Sequence, residues 1–360
     1  MIEPGTSDAS LFDRITWRDP VTGMVLVPQV VARTPAGVPL SGALRVPGTD
    51  VGYPIVDCVA RLTPELAHRY KEWLTVLGLR PPDVDRSRGI QMESTVESFG
   101  WQWTWNSRMR SDADLHARVV EKFDVPDGYY RDKLVADMGA GAGDQSRYLL
   151  DHGAYVVSVD LSAAIEVVAA KLRMNSRWFG VQADITNLPL MADQFDCVYC
   201  EGVIQHTQDS LQAVRELARV VKEGGEVLAA HYVLERPRSG WERAKRSLSG
   251  GIYRFVRGRL SGLEQFKLLL VTGNLAAMAH VPVLGWFVRK AGLALRYDLM
   301  PDFKTTWTNT YDYFGSHSYQ RFMTAGEFVS LFREQCSMAI SYESVGNVRA
   351  RKPRSAREPS

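Results

Sequence analysis

The chain has 360 residues, a length that suits about two domains. A composition that is 45% hydrophobic and 23% charged excludes a disordered or fibrous chain. A formal net charge of +2 gives no global pull toward nucleic acid, and four scattered cysteines give no disulfide framework.

Residues 1–62 read as β-rich, with short apolar runs at 24–31, 43–46 and 55–62 divided by Pro and Gly. Thr63-Pro64-Glu65 marks a helix start, Thr63 as cap and Pro64 at the first helical position. That helix is expected to run to about 79. Residues 80–88 form a polar, Pro-containing linker. Phe99-Gly-Trp-Gln-Trp-Thr-Trp-Asn106 follows, with tryptophans at 101, 103 and 105. A helix is expected over 112–123, capped by Ser111.

From 134 the pattern alternates. Strands are expected at 134–138, 155–160, 178–182, 195–200 and 226–232, with helices near 144–152, 163–173 and 209–222. Such alternation means right-handed βαβ units and a parallel sheet covered on both faces. Cys197 and Cys200 are a formal C-x-x-C pair, but within a strand residues three apart face opposite sides, so no bridge or chelate is expected.

The alternation stops at 235. Residues 235–259 carry eight basic side chains against two acidic ones, Glu235 and Glu242. Residues 268–288 are 21 positions without Asp, Glu, Lys or Arg. Gly273, Pro282 and Gly285 interrupt them, so two short apolar helices broken near Pro282 are expected, not a membrane span. Regularity returns with a capping-box pattern at Thr324 and Glu327, a helix to about 335, and a hairpin pairing 338–343 with 347–352.

Ligands of open α/β sheets bind at the carboxyl ends of the strands. The first strand-to-helix loop holds Gly139, Gly141 and Gly143, where a Cβ would obstruct both the turn and a close ligand. Dinucleotide sites use G-x-G-x-x-G. Here the spacing is G-x-G-x-G, and Asp144 directly behind it would repel a pyrophosphate. Asp137, Asp160 and Asp184 stand at three successive strand ends. They suit the ammonium group, ribose hydroxyls and adenine amino group of S-adenosylmethionine, through charge-assisted hydrogen bonds.

On Val135-Ala-Asp-Met-Gly-Ala-Gly-Ala-Gly143, Val156-Val-Ser-Val-Asp-Leu-Ser162, Gln182-Ala-Asp-Ile185, Gly202-Val-Ile-Gln-His-Thr207 and Lys222-Glu-Gly-Gly225, residues 95–233 resemble the class I S-adenosylmethionine-dependent methyltransferases, especially the small-molecule group called type 11. The resemblance implies an α/β fold with a Rossmann-like, seven-stranded, mostly parallel sheet whose last strand is antiparallel. It implies a cofactor set of Trp103, Asp137, Gly139, Ala140, Gly141, Gly143, Asp160, Leu161, Asp184, Ile185, Glu201, Gly202, Val203 and His206. Ala136 and Ala140 depart from the Leu and Cys common in the family. A weaker resemblance links Asp19-Pro-Val-Thr-Gly23 and residues 53–62 to the zinc-ribbon module that activates some tRNA and protein methyltransferases. Asp19 and Thr22 stand where its knuckle cysteines would be, so a metal-free ribbon with a packing role is expected.

The expected organisation is a degenerate ribbon-like region and helix at 1–90, a cofactor-binding core at 91–235, a helical substrate insert at 236–310, and completion of the core with a basic tail at 311–360. His206 and His231 are the candidate general bases. Tyr311, Asp312, His317 and Tyr319 are candidate acceptor contacts. A basic-then-apolar insert suits an amphiphilic small-molecule acceptor, lipid-linked or polyketide-like, with oxygen as the expected methyl acceptor, and a peripheral membrane contact through 236–300. The N-terminus shows no secretory leader pattern, so a cytoplasmic location is expected. No metal and no nucleic-acid partner are expected. A tRNA or protein methyltransferase, a nicotinamide-dependent oxidoreductase and a non-catalytic S-adenosylmethionine-binding protein remain open alternatives.

Overall fold

The computed structural model describes residues 10–84, 110–232, 255–256, 259–260, 263, 265–291, 293–294, 302–314 and 321–354. The chain divides into two compact units.

The first unit is built on one sheet. Its strands are β1 (Val27–Arg33), β2 (Pro39–Arg45), β3 (Gly52–Val56), β4 (Val59–Arg61), β5 (Leu134–Met138), β6 (Tyr155–Val159), β7 (Trp178–Gln182), β8 (Phe195–Glu201), β9 (Val221–Ala230), β10 (Ala339–Ser344) and β11 (Asn347–Arg351). The order is β1-β2-β3-β4-β7-β6-β5-β8-β9-β11-β10. The expectation of seven strands is corrected to 11, because the N-terminal meander continues the sheet through a parallel β4–β7 pair instead of closing on itself. The expected antiparallel closing strand is present as β11, which lies against β9.

The apolar run at 55–62 is not one strand. It folds back between β3 and β4 at Asp57 and Cys58, whose φ values are +53° and +63°. Two adjacent left-handed residues give the tight reversal that matches strand twist. Asp tolerates that conformation; nothing in the Cys58 side chain announces it.

β5 and β7 are buried at every position. Strands buried at every position, apolar except for Asp137 and Gln182, need cover on both faces. Helices α1 (Pro64–Arg69), α2 (Lys71–Val76), α3 (Asp112–Val119), α4 (Asp144–Asp151), α5 (Ala164–Leu172) and α6 (Ser210–Val220) belong to this unit. Thr63 and Ser111 cap α1 and α3 as expected. The single helix expected to 79 is interrupted at Tyr70. Cys197 and Cys200 are buried, free thiols on β8.

Asp19, at the first knuckle position of the ribbon-like segment, closes its own turn. It accepts hydrogen bonds from the Val21 and Thr22 amides at 3.1 and 3.2 Å and from the Thr22 hydroxyl at 2.5 Å. The Tyr53 hydroxyl donates to it at 2.6 Å. Among the described residues, no group of three or more His, Cys, Asp or Glu side chains could hold a metal ion.

Arg61 fastens the meander to the core. It is 1% exposed and donates to the Gln182 side-chain oxygen at 2.7 Å, with Glu166 at 3.3 Å. Gln182 in turn donates to the Leu161 carbonyl at 3.0 Å, just past the end of β6. Removing the guanidinium leaves a buried amide unpaired and a cavity. Arg61→Ala is expected to cost about 3 kcal/mol, read as a lowered denaturation midpoint with unchanged denaturant slope. An unchanged midpoint would show that this contact contributes nothing to holding the meander.

Helices α7 (Gln265–His280), α8 (Leu284–Lys290) and α9 (Phe303–Phe314) belong to the second unit, and α10 (Ala325–Arg333) belongs to the first. The α7–α8 break falls at Pro282, as expected. The capping box at Thr324 and Glu327 is formed. Helix α9 was not legible in the sequence, because four of its positions are threonine, a residue with weak helix preference. The Thr306, Thr308 and Thr310 hydroxyls donate to carbonyls four residues back, which lets them be buried. Leu268, Tyr311 and Phe314 form one small core cluster of this unit, and Ala279, Val288 and Ala294 form another.

Candidate functional site

The carboxyl ends of β5, β6, β7 and β8 bring the expected residues to one edge of the first unit. Gly139 and Gly143 have φ of +77° and +83°. A Cβ on Gly139 would fall inside the contact distance of Val203, and one on Gly143 would lie 2.9 Å from Val168. The Gly139 and Ala140 amides donate to the Val159 carbonyl at 2.7 and 3.1 Å. These contacts clamp the loop to β6. Gly139→Ala therefore combines left-handed strain with overpacking against Val203. It is expected to weaken S-adenosylmethionine binding by about 2 kcal/mol, roughly 30-fold, with Val203→Ala recovering part of the loss. Calorimetry on the two single variants and the double variant reads the coupling; strict additivity would refute it.

Asp160 accepts from the Gly141 amide at 2.9 Å and from the Ser162 amide and hydroxyl at 2.8 and 2.7 Å. One carboxylate thus orders both the glycine loop and the turn after β6. Burial raises its pKa, and these three bonds work against that rise. Asp184 holds an equivalent turn by accepting from the Thr186 amide at 2.8 Å. Ile185 is buried beside it.

Asp137 is 2% exposed. It accepts from the Ser146 hydroxyl at 2.5 Å, Ser146 meets Ser158 at 2.7 Å, and Trp178 donates to Ser158 at 2.8 Å. Burial pushes its pKa up to about 7; Ser146 opposes the rise, while Asp160 and Glu201 add to it. Asp144 occupies the first turn of α4, with the Arg110 amide donating to it at 3.3 Å and the Arg110 guanidinium 3.8 Å away. A carboxylate in that first turn makes the helix N-terminus unfavourable for a pyrophosphate.

Glu201, at the end of β8, is paired with Arg118 at 2.9 Å and Lys122 at 2.5 Å, and the Tyr199 hydroxyl donates to it at 2.8 Å. Burial works to raise its pKa, but the two cations overcome this and hold it below the ordinary value. Gly202 has φ +72°, and its amide donates to the Ala230 carbonyl at 3.1 Å. A Cβ there would sit 3.7 Å from the Gln205 amide nitrogen and 3.9 Å from the Tyr232 hydroxyl.

His206 ends a short 3-10 turn after β8, and its ring stands edge-on to Tyr232 with centroids 6.0 Å apart. His231 follows β9, is 6% exposed, and lies 5.0 Å from the Phe328 ring of α10. Burial lowers its pKa, partly offset by a backbone contact at Tyr232, which favours the neutral imidazole. Neither ring nitrogen meets hydrogen-bond geometry with a protein partner.

Gln205 lies in the Gly202–His206 segment that the resemblance places along the cofactor pocket, but it was not singled out as a site residue. It is fully buried, yet both amide atoms lack a partner. Unpaired buried amides are costly and call for a ligand or water. A polar residue following Val203-Ile204 at a strand's carboxyl end was the available signal. Of the candidate acceptor contacts, Tyr311 is buried in one small core cluster of the second unit. Trp103, His317, Tyr319 and the Asp312 side chain lie outside the described residues.

Comparison with known proteins matches residues 136–229 to a family model described as a methyltransferase domain. A malonyl-[acyl-carrier protein] O-methyltransferase of Enterobacter lignolyticus is 40% identical over 91 residues, 25% of this chain and 36% of that protein. A demethylmenaquinone methyltransferase of Clavibacter sepedonicus is 27% identical over 164 residues, 44% of this chain and 65% of that protein. This chain thus spans less than two thirds of either relative's length. An S-adenosylmethionine-dependent methyltransferase structure from Mesorhizobium loti is 24% identical with a TM-score of 0.29, covering 34% of this chain and 52% of that one.

Proposed function

We propose that this chain is a class I S-adenosylmethionine-dependent methyltransferase, a reading supported by the match of residues 136–229 to a methyltransferase domain, and that it methylates an oxygen of a small amphiphilic acceptor. The observation that carries the cofactor half is the set of carboxylates at the ends of β5, β6 and β7 around the clamped glycine loop. Their charge suits a cationic ligand without phosphate, and Asp144 disfavours a dinucleotide. Bound S-adenosylmethionine supplies a methyl group already activated by its sulfonium. What remains for the protein is alignment, water exclusion and removal of the acceptor proton.

Asp160 is proposed to hold the ribose hydroxyls, Asp184 the adenine amino group, and Asp137 the ammonium group. Gln205, with two unpaired amide atoms near Gly202, is proposed to orient the acceptor. His206 receives the acceptor's proton as the oxygen–methyl bond forms; His231 is the second candidate for that role. The amphiphilic acceptor is supported by the residues at 236–310, basic first and apolar after. Among the relatives, one is named for methylating an acyl-carrier-protein substrate and another for a demethylmenaquinone.

Transfer of label from S-adenosylmethionine to paired acceptors tests the reading. A phenol or carboxylate bearing an alkyl chain should show kcat/KM at least about tenfold above the same headgroup without the chain, since each buried methylene contributes about 0.8 kcal/mol. Equal values would overturn the amphiphilic acceptor. Label on nitrogen would overturn O-methylation.

A further inference from the structure

The second unit carries an apolar surface that its own packing leaves uncovered. One side of α7 is spent internally: Leu268, Thr272, Ala276 and Ala279 are buried, and Trp307 of α9 donates to the Leu269 carbonyl at 3.1 Å. Another side presents Phe266, Leu270 and Met278, spaced four and eight residues apart along the helix. Val283, Trp286 and Phe287 are exposed as well, on the following turn and α8. These six side chains are 36% to 75% exposed. This many large apolar side chains left exposed on two successive helices mark an interaction surface.

Charge identifies the partner. No Asp or Glu occurs between Glu264 and Asp298, whereas Arg289 and Lys290 follow the aromatic pair after the buried Val288 and are exposed. Arg289 spends one donor on the Ala279 carbonyl at 2.6 Å and keeps its charge at the surface. A second copy of the chain docked through this face would bring these cations together with no acid in the stretch to answer them. A bilayer answers both features at once, since its acyl boundary takes Trp and Phe while its anionic headgroups meet the cations. No described helix is long and apolar enough to cross a membrane, so the contact is peripheral.

We infer that the α7–α8 turn docks the protein on an anionic lipid surface, with Trp286 and Phe287 entering the interfacial layer and Arg289 and Lys290 on the headgroups. The inference is independent of the acceptor's identity. It is tested by flotation of the full chain with vesicles of phosphatidylcholine alone and of phosphatidylcholine mixed with phosphatidylglycerol. Binding is expected to the mixed vesicles, to weaken with added salt, and to fall at least about tenfold in Trp286→Ser/Phe287→Ser and in Arg289→Glu/Lys290→Glu. S-Adenosylmethionine affinity, measured alongside, should be unchanged in both variants, which separates lost docking from lost folding and from failure of the methyltransferase reading. Absence of wild-type flotation, or equal flotation of both variants, would overturn the inference. So would a wild-type dimer in light scattering that Trp286→Ser/Phe287→Ser dissolves, because the face would then belong to a second copy.

Discussion

Replacing His206 with Gln should lower kcat for methyl transfer by about 10²–10³-fold while leaving the S-adenosylmethionine dissociation constant within about threefold. The residue sits at the carboxyl end of β8, past Gly202, with its ring edge-on to Tyr232. Glutamine keeps a polar side chain there but cannot take a proton at neutral pH. Loss confined to kcat marks a base; loss confined to cofactor affinity marks a lining residue. The two roles assigned to His206 therefore part in one pair of measurements. The same substitution at His231 gives a second discriminator. Its burial favours the neutral ring, so if His231 is the base, the acidic limb of the rate profile should fall below the ordinary histidine value of 6.5. A base on His231 with an acidic limb above 6.5 is incompatible with the buried environment observed.

Affinity for S-adenosylmethionine should rise with pH up to about 7 and then level off. Burial holds the Asp137 pKa near 7 in the free protein. A bound cation nearby favours the charged carboxylate and lowers that pKa. Below pH 7, binding must then expel the proton, so affinity falls by up to tenfold for each unit until the bound-state pKa is reached. At pH 5 the loss reaches about 100-fold if the bound-state value lies lower still. Folding responds with the opposite sign. A carboxyl whose folded pKa is raised destabilises the free protein as pH climbs from the ordinary value of 3.8 to about 7. Calorimetric titrations at several pH values check the binding slope, with Asp137→Asn as reference because it carries the ligand's own titrations but not this one. Parallel slopes for wild type and variant would remove Asp137 from the ammonium site.

Much of the fold was legible because the core strands are buried on both faces, which gives mostly apolar runs at 134–138, 178–182 and 195–200, with Asp137, Gln182 and Asp196 as their polar positions. The helix starts at Thr63, Ser111 and Thr324 were legible for a similar reason: capping is local chemistry. The N-terminal meander was harder. Its strands were visible as short runs, but the parallel β4–β7 pairing depends on Arg61 and Gln182, 121 residues apart. Helix α9 was missed because its threonines become acceptable only when tertiary packing buries them with their hydroxyls bonded backward.

The site divides in the same way. Sequence alone determined which residue types stand at the strand ends, since the order of strands and loops sets Gly139, Asp137, Asp160 and Asp184 at one edge. Tertiary structure decided how those carboxylates are occupied: Asp160 braces the loop, Glu201 is neutralised by Arg118 and Lys122, and Asp137 is desolvated beside Ser146. It also exposed Gln205, whose significance is the lack of a partner, and the uncovered face of the second unit. Periodicity and spacing are written in the chain, but charge state, desolvation and unpaired atoms arise from groups distant in sequence being packed together. No reading along the chain can supply them.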